Sequence, residues 1–155
     1  MVRRLVATLL LAVVPACEAA APPEARVHAF RLLPGQDLKS TIQRYADEHH
    51  IEAGWIASCA GSLTAYCLRF ANQPQASAGV GHFEIVSLSG TVSMHGSHLH
   101  LAIADEGGRT IGGHLMDRCI VYTTAEIVLA ESPRLVFRRA KDGSTPWEEL
   151  QVETR

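Results

Sequence analysis

Charge of either sign is scarce in this chain: 14 Lys and Arg face 16 Asp and Glu in 155 residues, leaving a net charge of −2. A surface that binds polyanions needs a basic excess to neutralise phosphates, so the composition argues against nucleic acid as a partner. Long apolar runs are lacking as well. The N-terminal run from Leu5 to Val14 is ten residues, and a helix needs about 20 to span a bilayer. There is neither an internal repeat nor a low-complexity tract. Cysteine is sparse, with four residues, and beyond Cys17 an odd number remains, which is not the count of a disulfide framework. The length allows one domain with a single core.

What is present begins with an export pattern. Met1-Val2-Arg3-Arg4 is a basic start, the apolar run follows, and small residues around Cys17-Glu18-Ala19-Ala20-Ala21 offer cleavage sites, so residues 1–21 are expected to be a signal peptide. Val14-Pro15-Ala16-Cys17 resembles a bacterial lipobox, which would put a lipid on Cys17 and give the chain its one route to a membrane. The mature protein is then exported, periplasmic or lipid-anchored; a misassigned start would instead leave it cytoplasmic. Cleavage removes Arg3, Arg4 and Glu18, taking basic residues from 14 to 12 and acidic ones from 16 to 15. The mature chain is thus slightly more acidic.

Residues 22–26, with Pro22-Pro23, read as a linker, and 27–152 as the folded domain. Residues 27–33 form a strand. Asp37 caps a helix whose apolar stripe is Leu38, Ile42, Tyr45 and His49. Residues 55–60 and 65–70 read as two strands about a turn at Gly61-Ser62-Leu63-Thr64. That turn would let Cys59 face Cys67 in a disulfide; otherwise both are buried thiols. Residues 71–80 lack periodicity and read as a loop. Strands at 81–92, 119–129, 135–139 and 147–152 complete an antiparallel set. The fold class is α+β, a mostly antiparallel sheet with one main helix packed on it.

The richest stretch is Gly96-Ser97-His98-Leu99-His100-Leu101-Ala102-Ile103, followed by a turn at Asp105-Glu106-Gly107-Gly108 and by Thr110-Ile111-Gly112-Gly113-His114-Leu115. Alternation marks both halves as strands of a hairpin. Pairing Leu99 with Leu115, Leu101 with Gly113 and Ile103 with Ile111 puts the branched aliphatic residues on one face. A one-residue slip would scatter them. His98, His100 and His114 then share the other face, with His100 opposite His114. Singly, each would be an ordinary surface or core histidine; together they suit a divalent ion, zinc above all, with one coordination position left open.

Several motifs carry a family resemblance. Gly81-His82-Phe83-Glu84-Ile85-Val86-Ser87-Leu88-Ser89-Gly90, His98-Leu99-His100, Gly112-Gly113-His114-Leu115 and Val121-Tyr122-Thr123-Thr124-Ala125-Glu126-Ile127 resemble the plants-and-prokaryotes-conserved (PPC) domain, also known as domain of unknown function 296. His82 stands where the family pattern has arginine. The resemblance runs from about Val27 to Phe137 and implies an α+β homotrimer. Plant members carry an AT-hook beside this domain, but no Arg-Gly-Arg-Pro hook occurs here, so a DNA-binding role would come by family association alone. The fold is also similar to that of acetolactate decarboxylase and a related group of ester hydrolases. By that analogy His98, His100 and His114 hold zinc or another divalent metal. Glu84 and Glu126 become candidates for acid/base or orienting roles, and Arg69 for clamping a carboxylate. The expected function is a metal-binding trimer with lyase or hydrolase activity on a small molecule; the alternative is a non-catalytic assembly module.

Overall fold

The computed structural model describes residues 25–155. The signal peptide and lipobox, and all of the linker but its last two residues, lie outside the described residues. Eight strands and one helix follow in order: β1 (Arg26–Leu32), α1 (Leu38–Glu48), β2 (Gly54–Arg69), β3 (Ser77–Ser93), β4 (Gly96–Ala104), β5 (Thr110–Leu115), β6 (Ile120–Glu131), β7 (Leu135–Ala140) and β8 (Glu149–Thr154). Six strands form one antiparallel sheet in the order β1-β6-β2-β3-β4-β5. The end of β2 also pairs with β5, through Leu68 opposite Leu115 and Arg69 opposite His114. The sheet therefore closes on itself through β2, and closure removes a free edge. Among the described residues no helix is long and apolar enough to cross a membrane.

The two strands expected at 55–60 and 65–70 are in fact one, the 16-residue β2. Its register shifts three times against β6, between Ile56 and Ser58, Gly61 and Leu63, and Leu63 and Ala65. An isolated glycine inside an apolar run marks either a turn or a bulge, and here the bulges win. They bend β2 enough for one strand to serve β3, β6 and β5. Cys59 and Cys67 consequently lie eight residues apart on a single strand rather than face to face, and Cys59, Cys67 and Cys119 are all free thiols. Cys67 N–H donates to Cys119 Sγ at 3.2 Å, and Cys119 Sγ donates to the Cys67 carbonyl at 3.3 Å. Burial pushes the thiols of Cys59 and Cys119 up to about 11, so they pack as small apolar groups. The loop expected over 71–80 is shorter than that, because β3 already begins at Ser77.

Asp37 caps α1 as expected, accepting from the Ser40 amide at 2.8 Å, and Leu38, Ile42 and Ala46 form its buried face. Asp37 also accepts from the Arg118 amide, which ties the helix start to the turn before β6. Tyr45 sits at the edge of the core, whereas His49, expected in the same apolar stripe, is the exposed residue that caps the end of α1. The Tyr45 ring stacks between Phe30 at 3.8 Å and His49 at 3.9 Å. The core itself is aliphatic, with Leu32, Leu38, Ile42, Leu63, Leu68, Leu101, Ile103, Val121, Ile127 and Leu129 essentially inaccessible. Leu99, Leu101 and Ile103 on β4 all point into it, and alternation turns His98 and His100 to the other side. The strands expected at 135–139 and 147–152 do not join the main sheet. They form a separate two-stranded hairpin, β7 with β8.

Candidate metal centre

β4 and β5 pair with His100 opposite His114, Leu101 opposite Gly113 and Ile103 opposite Ile111, the register that the aliphatic residues require. The pairing stops there. Leu115, expected opposite Leu99, pairs with Leu68 of β2, so His114 sits where β4, β5 and β2 converge. Nε2 of His98 lies 3.2 Å from Nε2 of His100 and 3.1 Å from Nδ1 of His114. The three ligand atoms all fall within 4.8 Å of one another.

Two physical points favour a cation at that meeting place. A tetrahedral ion with metal–nitrogen bonds of about 2.0–2.1 Å sets its ligand nitrogens roughly 3.3 Å apart, close to the two spacings from His98. The His98 Nε2 atom, moreover, has either one proton or one lone pair, and cannot satisfy both neighbouring nitrogens by hydrogen bonding. A central cation would accept all three lone pairs together.

The electrostatics favour the neutral forms of His98 and His114. Burial, reinforced by the Arg69 guanidinium and by the other two histidines, pushes His114 down to about 4. His98 is lowered by burial first, then by Arg139 and His100; Glu149 acts in the opposite sense. Neutral imidazoles present lone pairs at neutral pH, as metal ligation requires. The same shift makes metal-free stability depend on pH. An unfolded histidine titrates near 6.5, so between there and about 4 the unfolded chain takes up the proton that folded His114 refuses. Stability is therefore full above the upper value and falls as pH drops through this window. Urea midpoints of the metal-free protein should decline from pH 7 to pH 4.5, and His114→Gln should flatten part of that decline; an unchanged slope in the variant would refute the assignment.

Of the other expected site residues, Arg69 does join the cluster. It pairs with His114 across β2 and β5, and its guanidinium lies 5.6 Å from the centre of the Trp147 ring. Glu84 and Glu126 are placed elsewhere. Glu84 pairs with Ser62 and Ala104, and Glu126 with Arg31 and Ala60. Among the described residues no hydrogen bond links either carboxylate to the three histidines. The group that does reach them was not expected: Arg139 Nη2 on β7 stands 3.2 Å from His98 Nδ1 and donates to the Glu148 carbonyl at 2.7 Å. Arg139, with Glu149 and Leu150, forms one wall of an open cleft of about 310 Å³, whose other wall includes His98 and His100.

An antiparallel sheet closed through one long bent strand, with a single helix packed on it and three imidazoles converging on its outer face, defines a small α+β protein with a candidate metal centre. Residues 19–133 match the Plants and Prokaryotes Conserved (PCC) domain, and the chain belongs to that family. A hypothetical protein from Salmonella superposes with a TM-score of 0.83 at 42% identity, over 85% of this chain and 96% of that one. A metal-containing protein from Archaeoglobus fulgidus gives a TM-score of 0.69 at 25% identity, over 81% and 93% of the two chains. A plant- and prokaryote-conserved protein from Pyrococcus horikoshii gives 0.64 at 27% identity, over 83% and 95%. Among curated proteins the chain is 48% identical over 128 residues to a Synechococcus protein named bifunctional protein GlmU. The match covers 83% of this chain but spans only about a fifth of that relative, 21%.

Proposed function

We propose that this protein binds one divalent cation per chain, zinc in the first instance, through His98, His100 and His114, and that the site serves lyase or hydrolase chemistry on a small molecule. The observation that carries this reading is the pair of nitrogen spacings, 3.2 and 3.1 Å, centred on one atom of His98. A metal-containing relative of the same fold supports it. Bound zinc would supply Lewis acidity. The chain's own part is to keep His98 and His114 neutral and to hold the ligands on two strands fixed by the Leu101 and Ile103 core. It also opens the site toward the cleft between β3 and the C-terminal hairpin.

We further propose that the protein is a homotrimer. Val80, Val86 and Tyr122 are exposed by 87%, 57% and 45%, and the His82 and Tyr122 rings meet at 4.5 Å, so the sheet presents apolar surface suited to a second copy. If the histidines served only such contacts, the protein would be a non-catalytic assembly module. Native mass spectrometry of protein purified without a nickel column tests both statements at once. One zinc per chain in a particle of three chains is expected, with His100→Ala keeping the trimer and losing the metal. Under about a tenth of an equivalent of zinc in the wild type removes the metal reading, and a monomer mass removes the trimer.

A further inference from the structure

The hairpin from Leu135 to Thr154 begins after the family domain, whose match ends at residue 133, yet it supplies a wall of the histidine site. We infer that this hairpin, acting with Arg69, makes the site a receptor for a small oxyanion, a carboxylate or a phosphate, held by the guanidinium groups of Arg139 and Arg69. The inference rests on the metal reading above and names the class of ligand that the site takes.

The hairpin is fastened to the domain rather than hanging from it. The Phe137 amide donates to the Glu52 carbonyl at 2.8 Å, and Ser93 Oγ donates to the Phe137 carbonyl at 2.8 Å. At its other end Trp147 lies over the Arg69 guanidinium. Arg139 is thereby held against His98, and Arg69 stands opposite His114 in the pairing of β2 with β5.

Three arguments then point to an anion. The first is charge: three neutral imidazoles leave a dication uncompensated and two guanidiniums add to it, with Glu149 the single carboxylate in the cleft wall. A ligand carrying one or two negative charges restores the balance. Donor supply gives the second argument. With a cation on Nε2, the His98 ring keeps its proton on Nδ1, and Arg139, which can only donate, loses the acceptor it now has there. The donor now turned to His98 is then free for an oxygen in the cleft, while the bond to the Glu148 carbonyl holds the guanidinium in place; such a group matches a carboxylate or phosphate. Size is the third. A cleft of about 310 Å³ sits at the lower end of the range for ligand pockets, so the ligand is small. Ser89 and Thr91, opposite His100 and His98 on β3, line the same cleft and offer hydroxyl donors.

Isothermal titration calorimetry with malonate and with inorganic phosphate tests this, on wild type, Arg139→Ala, Arg139→Lys and Arg138→Ala, with zinc content measured on each sample. Arg138 is the control because it points away, to Glu153 and His95. Wild type is expected to bind at least one of the two anions, the tighter one identifying the headgroup. Arg139→Ala should weaken it about tenfold or more, Arg139→Lys should fall between, and Arg138→Ala should match wild type. Equal affinity in wild type and Arg139→Ala overturns the inference, as does an equal loss in Arg138→Ala or no binding of either anion to wild type. Absence of zinc from the wild type would sink the metal reading alone. The effect of Arg139 on anion affinity would still decide the part played by the hairpin.

Discussion

Stripping zinc with EDTA is expected to lower the melting temperature by on the order of 10 °C, and His114→Ala should abolish that response altogether. A ligand that binds only the native state at about a thousand times its dissociation constant adds about 4 kcal/mol. In a domain of this size each kcal/mol moves the midpoint by a few degrees. On the proposed metal reading His114 is the decisive ligand, because it alone comes from β5, whereas His98 and His100 share β4. Without it the cation no longer bridges two strands, and two imidazoles on one strand hold zinc poorly. A purely structural role for the ring predicts the opposite pattern. The metal-free variant would then melt well below metal-free wild type, and both would ignore zinc. On the metal reading the two metal-free proteins agree within about 1 kcal/mol, since the lost imidazole is one whose charged form the fold already disfavours. A wild-type shift under about 2 °C on EDTA treatment would contradict the site.

That hairpin was legible in the sequence because its constraint is local and of period two. Leu99, Leu101, Ile103 and Ile111 must all face the core, and a single register allows it; the meeting of His100 with His114 then follows without further information. The helix was legible for a similar reason, since Asp37 and the spacing of Leu38 and Ile42 act within a few residues of one another. Where the reading failed, the deciding contact was distant or the local signal ambiguous. Glycine at position 61 is as compatible with a turn as with a bulge, and only pairing with β6 some 60 residues further on selects the bulge. Arg139 reaches His98 from 41 residues away, on a strand whose own alternation assigns it to a two-stranded ribbon. Nothing near either residue records that this ribbon folds back over the site. For Glu84 and Glu126 a carboxylate in a motif is visible in sequence, whereas the strand partners, Ala104 and Ser62 for the one and Arg31 and Ala60 for the other, are set by sheet order.

Because β2 carries both the core and the Arg69 end of the site, its bulge at Gly61 should be a highly sensitive backbone position. Gly61 has φ +154°, and a Cβ there would stand 2.2 Å from the Thr124 carbonyl oxygen and 2.7 Å from Ala125 Cα. Those atoms belong to the backbone of β6, so no side-chain rotation can relieve the clash. Either β2 and β6 separate or the register slips. Overpacking of this kind costs about 1–3 kcal/mol, and a backbone angle that side chains rarely adopt adds about 1–3 kcal/mol. Gly61→Ala is therefore expected to lose about 3 kcal/mol or more, a large share of the roughly 5–15 kcal/mol that holds a domain together. Gly108→Ala separates the two causes. Gly108 has φ +77° but nothing within 4 Å of its added Cβ, so it carries the conformational cost alone, about 1–2 kcal/mol. Urea denaturation of the two variants beside wild type gives the comparison. Gly61→Ala should unfold at a clearly lower midpoint than Gly108→Ala. Equal midpoints would mean that β6 yields to the new methyl, and that the close approach of the two strands does not fix the bend by which β2 brings Arg69 to His114.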